Sequence, residues 1–300
     1  MKPVVLQLTP IPAPGEALLE EHFEIVRHLN ASQPVTRAAE VRGIATTAHG
    51  KATKDLLTQL PALGIISCFS AGTDGIDREA ASIRGIPVTT TSSLVGAEVA
   101  DLAMGLIVSL LRQLPQANSY IRSGTWQEKG PMPLARSVGG SRLGIVGIGS
   151  IGQQLAKRAQ AFGMDIAYYT PRENSGLPWR HTASLLALAE ESDVLAVCCP
   201  ATAETRGMIN AKVLENLGPN GYLVNVARGS IVDEAALLDA LSAGTIAGAG
   251  LDVFATEPNA SRELVDDPRV LATPHIGAAT VEVRTAMAHE MVRNLLNNIR

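Results

Sequence analysis

The 300-residue sequence predicts an α/β protein of two domains, each a doubly wound parallel sheet. Two observations carry this. Short, almost continuously apolar runs alternate with helix-period stretches in two successive series, and such runs belong to strands covered on both faces. A long amphipathic helical segment, about Gly96 to Tyr120, separates the two series.

The first series reads "PVVLQL", a helical stretch at 15–29, "GIATT", a helix at 53–58, "GIISCF", a helix at 76–83, and "IPVTT". The second reads "RLGIVGI", "DIAYYT", "DVLAVCC", "GYLVNVA", "AGAGLDVF" and "RVLATP", separated mostly by helical stretches, with 171–181, "PRENSGLPWRH", as a connection. The last helix, about 281 to 299, has nothing after it to pair with and is expected to pack back on the first domain. The predicted domains are therefore 1–97 plus 281–300 and 98–280.

Composition narrows the function classes. A net charge of −4 provides no electrostatic footprint for nucleic acid or an anionic membrane. The opening "MKPVVLQLTP" lacks the charged and apolar regions of a secretion signal, and the apolar segment "AEVADLAMGLIVSLL" carries Glu98 and Asp101, so secretion and membrane spanning are not expected. Of the three cysteines, Cys198 and Cys199 are adjacent and Cys68 stands alone, a pattern that matches neither a disulfide framework nor a metal site. A cytoplasmic protein with no bound metal is expected.

Gly147, Gly149 and Gly152 form GxGxxG directly after an apolar strand and at the start of a helix. The first permits the tight turn, the second lets backbone approach a pyrophosphate, and the third allows close packing. Ser150 and Ile151 open the helix, whose N–H groups and dipole favour phosphate. This strand–turn–helix context predicts a Rossmann domain that binds a dinucleotide. In an NAD site the second strand usually ends in a carboxylate that holds the ribose hydroxyls and repels a 2′-phosphate. Here it ends in Tyr169-Thr170-Pro171-Arg172. A threonine hydroxyl and an arginine fork suit a 2′-phosphate, so NADP(H) is the expected cofactor.

Three polar residues follow apolar strands of the second sheet: Arg228 in "VNVARGSIVDE", Glu257 in "LDVFATEP" and His275 in "LATPHIGAAT". Singly, each has a plain structural reading as a helix-start charge, a surface carboxylate or a turn residue. Together at one sheet edge they form a set: a histidine backed by a carboxylate to donate a proton to a developing alkoxide, and an arginine to hold a substrate carboxylate and polarise its neighbouring carbonyl. Hydride transfer to a 2-oxo acid is the chemistry such a set performs.

Six ordered segments, "SAGTDGID", "VADLAMGLIVSLLR", "GIVGIGSIG", "VNVARGSIVDE", "GLDVFATEP" and "TPHIGAAT", make the chain resemble the D-isomer-specific 2-hydroxyacid dehydrogenase family over essentially its full length. Within it the chain is most similar to the NADPH-dependent glyoxylate, hydroxypyruvate and hydroxyphenylpyruvate reductases. The resemblance implies a Rossmann cofactor domain and a flavodoxin-like substrate domain, a small 2-oxo or 2-hydroxy acid substrate, a homodimer involving 96–126, and Arg228, Glu257 and His275 as the catalytic set. It further implies cofactor contacts at Pro171, Cys199, Pro200, Thr205, Val226, Ala227, Gly277 and Ala278, with Asp252 near the nicotinamide. Substrate contacts are implied at Ala48, His49, Gly50, Ala71 and Gly72, and small residues there suit capture of a carboxylate by backbone N–H groups. His49 departs from the small residue expected. The end at Arg300, short of a tail common in relatives, implies that some packing on the substrate domain is missing. Two other functions share this pattern: a dinucleotide-sensing binding protein of the same fold, and an NAD-dependent phosphoglycerate-type dehydrogenase, which would favour an acidic strand end. The adjacent cysteines are read as packing and backbone contacts.

Overall fold

The computed structural model describes residues 2–30 and 33–299. In chain order the elements are β1 (Val4–Gln7), α1 (Gly15–His22), β2 (Glu24–Arg27), β3 (Val41–Thr46), α2 (Lys54–Thr58), β4 (Ile65–Cys68), α3 (Arg78–Ile83), β5 (Val88–Thr90) and α4 (Ser92–Leu111). There follow α5 (Leu114–Arg122), α6 (Thr125–Lys129), β6 (Arg142–Val146), α7 (Ser150–Ala161), β7 (Asp165–Tyr169), β8 (Arg180–His181), α8 (Leu185–Glu190) and β9 (Val194–Val197). The chain closes with α9 (Ala211–Leu217), β10 (Tyr222–Asn225), α10 (Glu234–Ala243), β11 (Gly248–Leu251), α11 (Arg262–Val265), β12 (Val270–Ala272) and α12 (Val281–Asn298).

The chain divides into two compact units, Met1–Val95 with Ala278–Arg300, and Gly96–Gly277. The boundaries fall slightly ahead of those read from the sequence, and local packing explains both. A Cβ on Gly96 would lie 2.4 Å from Ser150 Oγ, so α4 already belongs to the second unit there. Gly277 donates its N–H to Asp252. Residues 1, 31, 32 and 300 of the expected ranges lie outside the described residues.

The first unit holds a parallel sheet in the order β2-β1-β3-β4-β5, the flavodoxin-like arrangement. α12 returns to it as expected: Gly43 is kept bare by Leu295, whose Cδ2 would lie 2.9 Å from an added Cβ, and Ser67 Oγ donates to Met291 O. The second unit holds a seven-stranded parallel sheet, β12-β11-β10-β9-β6-β7-β8. Its order reverses between β6 and β9, where ligands of doubly wound sheets bind beyond the strand C-termini. β9 and β11 are buried along their whole length, which is why their sequences are apolar rather than alternating.

Three sequence expectations need correction. The stretch 15–29 is not one helix: it stops at His22, Phe23 is extended, and Ile25-Val26 pair with β1. The polar ends of this edge strand, Glu24 and Arg27, hid its β-branched centre. The segment from Gly96 to Tyr120 is two helices, because Gln113 adopts a left-handed backbone (φ 51°) and Pro115 cannot continue the preceding ladder. The connection 171–181 ends in the short strand β8, which adds to the sheet edge beside β7.

α4 is long and apolar enough to cross a membrane by length and composition alone, with half of that window buried. Its apolar content has a local cause: Leu106 and Leu110 pack over Gly250 of β11, where an added Cβ would meet them at 3.3 and 3.1 Å. Asp101 on the other face pairs with Arg158 of α7 at 2.5 Å.

Candidate active site

The fingerprint turn is built from contacts that only glycine permits. Gly147 has φ 95°, and a Cβ there would lie 2.6 Å from Cys199 Cα. At Gly152 a Cβ would lie 2.2 Å from the Gly147 carbonyl oxygen. Gly149 differs, since a Cβ there would meet nothing within 4 Å. No protein atom explains a glycine at 149; open space beside an uncapped helix N-terminus at Ser150 and Ile151 fits an approaching pyrophosphate. The residues present therefore fit a dinucleotide.

β7 delivers Thr170, Pro171 and Arg172 to the same end of the sheet. The Arg172 side chain is exposed and makes no hydrogen bond or ion pair among the described residues. Thr170 does not play the part expected of it. Its one hydroxyl hydrogen is donated to Arg172 O at 2.6 Å, so the hydroxyl shapes the turn that presents Arg172 and is not a free donor to a phosphate. Thr205 is similar: its hydroxyl donates to Pro200 O at 2.8 Å and accepts from Thr202 N, folding the loop after β9 on itself. Cys199 and Pro200 begin that loop. Burial pushes the Cys198 thiol up to about 12 and the Cys199 thiol to about 11, which keeps both protonated and inert.

Glu257 and His275 meet beyond the C-terminal ends of β11 and β12, and Arg228 follows β10, the neighbouring strand of the same sheet. His275 Nδ1 is 2.7 Å from Glu257 Oε2. The other carboxylate oxygen, Oε1, accepts the Phe254 N–H at 3.0 Å, so the carboxylate is oriented before it meets the histidine. Arg228 stands in extended backbone, with Nη1 donating to Ala227 O at 2.7 Å and its own carbonyl accepting from Asn225 Nδ2 at 2.9 Å. Val226 and Ala227 are buried behind it.

Four supporting residues escaped the sequence reading. At Gly229 a Cβ would lie 1.9 Å from the Phe254 carbonyl carbon, so the Arg228 turn and the loop leading to Glu257 touch backbone to backbone. Asn225 braces both sides, donating to Arg228 O and accepting from Ala227 N at 3.1 Å. Thr273 and Glu234 also act here: Thr273 Oγ1 donates to Asp252 Oδ1 at 2.7 Å, and Glu234 Oε1 accepts from Ala255 N at 2.6 Å. Asp252 itself is 1% exposed and accepts from Thr273 Oγ1, Ile276 N and Gly277 N. It holds the turn on which His275 sits with φ 53°, an unusual backbone for a side-chain-bearing residue. A buried carboxylate with partners a full strand away leaves little trace in sequence spacing.

A family model, D-isomer specific 2-hydroxyacid dehydrogenase, NAD binding domain, matches residues 104–277. The chain is 39% identical over 295 residues to glyoxylate/hydroxypyruvate reductase A of Arabidopsis thaliana, covering 97% of this chain and 94% of that one. The chain belongs to the D-isomer-specific 2-hydroxyacid dehydrogenase family. Hydroxyphenylpyruvate reductase of Plectranthus scutellarioides is 38% identical over 297 residues, again covering 97% and 94%. The crystal structure of an NADPH-dependent glyoxylate/hydroxypyruvate reductase from Sinorhizobium meliloti, in complex with NADP and malonate, superimposes with a TM-score of 0.92 at 43% identity, covering 99% of this chain and 93% of that one. This D-2-hydroxyacid dehydrogenase is thus of the glyoxylate/hydroxypyruvate reductase type, and the resemblance read from its six motifs holds over the full length.

Within the first unit of this dehydrogenase, the loops after β3 and β4 lie side by side, joined by Phe69 N to Thr46 O and Gly75 N to Ala48 O. His49 is exposed, whereas Ala48 and Gly50 are buried. Gly50 has no room for a side chain, since a Cβ would fall 1.8 Å from Thr46 Oγ1. The backbone N–H groups of Ala71, Gly72 and Thr73 have no acceptor among the described residues. Ala278 is half-buried directly after Gly277.

Proposed function

We propose that this protein uses NADPH to reduce small 2-oxo acids of the glyoxylate/hydroxypyruvate type to D-2-hydroxy acids. The observation that carries the reaction is the His275–Glu257 pair at 2.7 Å, with Arg228 on the turn that packs against the loop leading to Glu257. When bound, the cofactor supplies the hydride to the substrate carbonyl carbon. Glu257 accepts from Nδ1, which leaves His275 Nε2 to hold the proton that the developing alkoxide takes. Arg228 holds the substrate carboxylate and polarises the adjacent carbonyl. The unengaged N–H groups at Ala71 and Gly72, with Ala48, His49 and Gly50, supply further substrate contacts.

The choice of NADPH rests on Arg172: a strand end without a carboxylate and with an unpaired guanidinium attracts a 2′-phosphate instead of repelling it. The NADP-bound relative supports the same reading. Ser150, Ile151, Pro171, Cys199, Pro200, Val226, Ala227, Gly277 and Ala278 complete the cofactor contacts. We also infer a homodimer, supported by the exposed apolar side chains Leu114, Ile121, Trp126 and Leu134 on one stretch of chain, and a cytoplasmic location, supported by three cysteines that form no disulfide among the described residues.

Initial rates of NADPH and NADH oxidation with glyoxylate, hydroxypyruvate and an aryl pyruvate test the proposal. Faster turnover with NADPH is expected; absence of turnover with every acid and both cofactors overturns it.

A further inference from the structure

Arg172 lies on a connection of the kind that is ordinarily mobile, yet the residues around it are tied down. Tyr168, 1% exposed inside the sheet, sends its hydroxyl to a single residue further along: Oη accepts from Asn174 N at 3.1 Å and donates to Asn174 O at 3.2 Å. Asn174 passes the restraint onward, its side chain accepting from Gly176 N at 3.2 Å and its carbonyl from Leu177 N at 3.1 Å. On the other side of Arg172, His181 Nε2 is 3.0 Å from Thr170 O. A carbonyl only accepts, so Nε2 carries the proton and donates. Tyr168 and His181 are register partners across β7 and β8, with ring centroids 5.2 Å apart. The Thr170 hydroxyl closes the span from inside by donating to Arg172 O.

We propose that Tyr168 and His181 are positioning residues for cofactor choice. They clamp the Thr170–Asn174 span at both ends and so hold the backbone from which the Arg172 guanidinium reaches the 2′-phosphate. This rests on the reading of Arg172 as the 2′-phosphate ligand. The physical basis is preorganisation. An anchored loop has little conformational freedom left to lose when its one unengaged cation meets a dianion, whereas a loose loop surrenders that freedom on binding. NADH has no 2′-phosphate, so its affinity does not depend on the clamp. The edge strand β8, only two residues long, thereby acquires a purpose beyond extending the sheet.

The test is equilibrium binding of NADPH and of NADH, by calorimetry, to the full-length wild type, Tyr168→Phe, His181→Asn and Arg172→Ala. Removal of the Tyr168 hydroxyl should weaken NADPH binding about 3- to 10-fold while NADH binding stays within about twofold. His181→Asn, at a half-buried site, should act in the same direction and serves as the second variant if Tyr168→Phe folds poorly. If Arg172→Ala lowers the NADPH-over-NADH preference but Tyr168→Phe and His181→Asn do not, the clamp is overturned and the cofactor reading stands. If Arg172→Ala leaves the preference intact, the cofactor reading fails and the clamp fails with it. Equal losses of NADPH and NADH affinity in the clamp variants would mark a merely structural role and also overturn the proposal.

Discussion

Glu257 and His275 are joined at 2.7 Å through Oε2 and Nδ1, while Oε1 of the same carboxylate is held by the Phe254 N–H at 3.0 Å. The histidine is thus fixed through a carboxylate that is itself fixed by backbone. Its ring is oriented through Nδ1.

Removing either partner separates chemistry from binding. His275→Ala should lower kcat with glyoxylate by about 10²- to 10⁴-fold, the usual span for a lost general acid. Glu257→Gln should cost less, because an amide still receives Nδ1–H but no longer stabilises a charged ring. Calorimetric NADPH affinity should be unchanged in both; a parallel loss of cofactor binding would contradict the assigned roles.

Gly229 and Gly149 should respond in opposite ways to alanine. At Gly229 the new methyl meets the Phe254 backbone, so Gly229→Ala should lose roughly 2 kcal/mol or more of stability and most activity. Gly149 has φ −71° and open space around it. Gly149→Ala should keep its melting temperature while dinucleotide affinity falls roughly tenfold or more, as backbone approach to the pyrophosphate is blocked. Thermal melts and calorimetry on the two variants decide this; a destabilised Gly149→Ala would show that the glycine serves the fold.

Asp193, at the sheet end away from the site, makes acid stability testable. Burial alone would raise its pKa, but the Arg142 guanidinium and backbone N–H, together with Arg136, outweigh burial and hold it at about 2. The contribution is present in full above the unfolded value of about 4 and is lost as pH falls toward 2. Asp193→Asn should therefore cost on the order of 1 to 2 kcal/mol at neutral pH, after allowance for solvent screening of the exposed Arg142, and much less near pH 2. Denaturant titrations at several pH values measure it; an equal cost at both ends of the window would refute the ion-pair account.

Cys198 and Cys199, with thiols raised to about 12 and 11 by burial, should resist alkylation in the folded protein near neutral pH and react once it is denatured. Peptide mapping after iodoacetamide treatment reports this directly. Rapid labelling of the native protein would show that the loop after β9 opens.

The sequence by itself determined the features encoded over a few consecutive residues. The apolar strands, the GxGxxG turn and the strand end without a carboxylate depend on periodicity and local backbone chemistry, and each was legible where it stands. The catalytic candidates were legible because each follows directly on an apolar strand. Tertiary structure alone decided how hydrogen-bonding capacity is spent. The Thr170 hydroxyl looks free in the sequence but is consumed by the Arg172 carbonyl, and the Asp252 carboxylate is spent on the Thr273–Gly277 turn, a partnership its sequence position does not disclose. Gly229 is obligatory because strand order brings Phe254 against it. Tyr168 and His181 are register partners only because β8 pairs with β7. A polar group bonds with whatever the packed chain places within reach, and across a doubly wound sheet that neighbour is chosen by strand order, not by distance along the sequence.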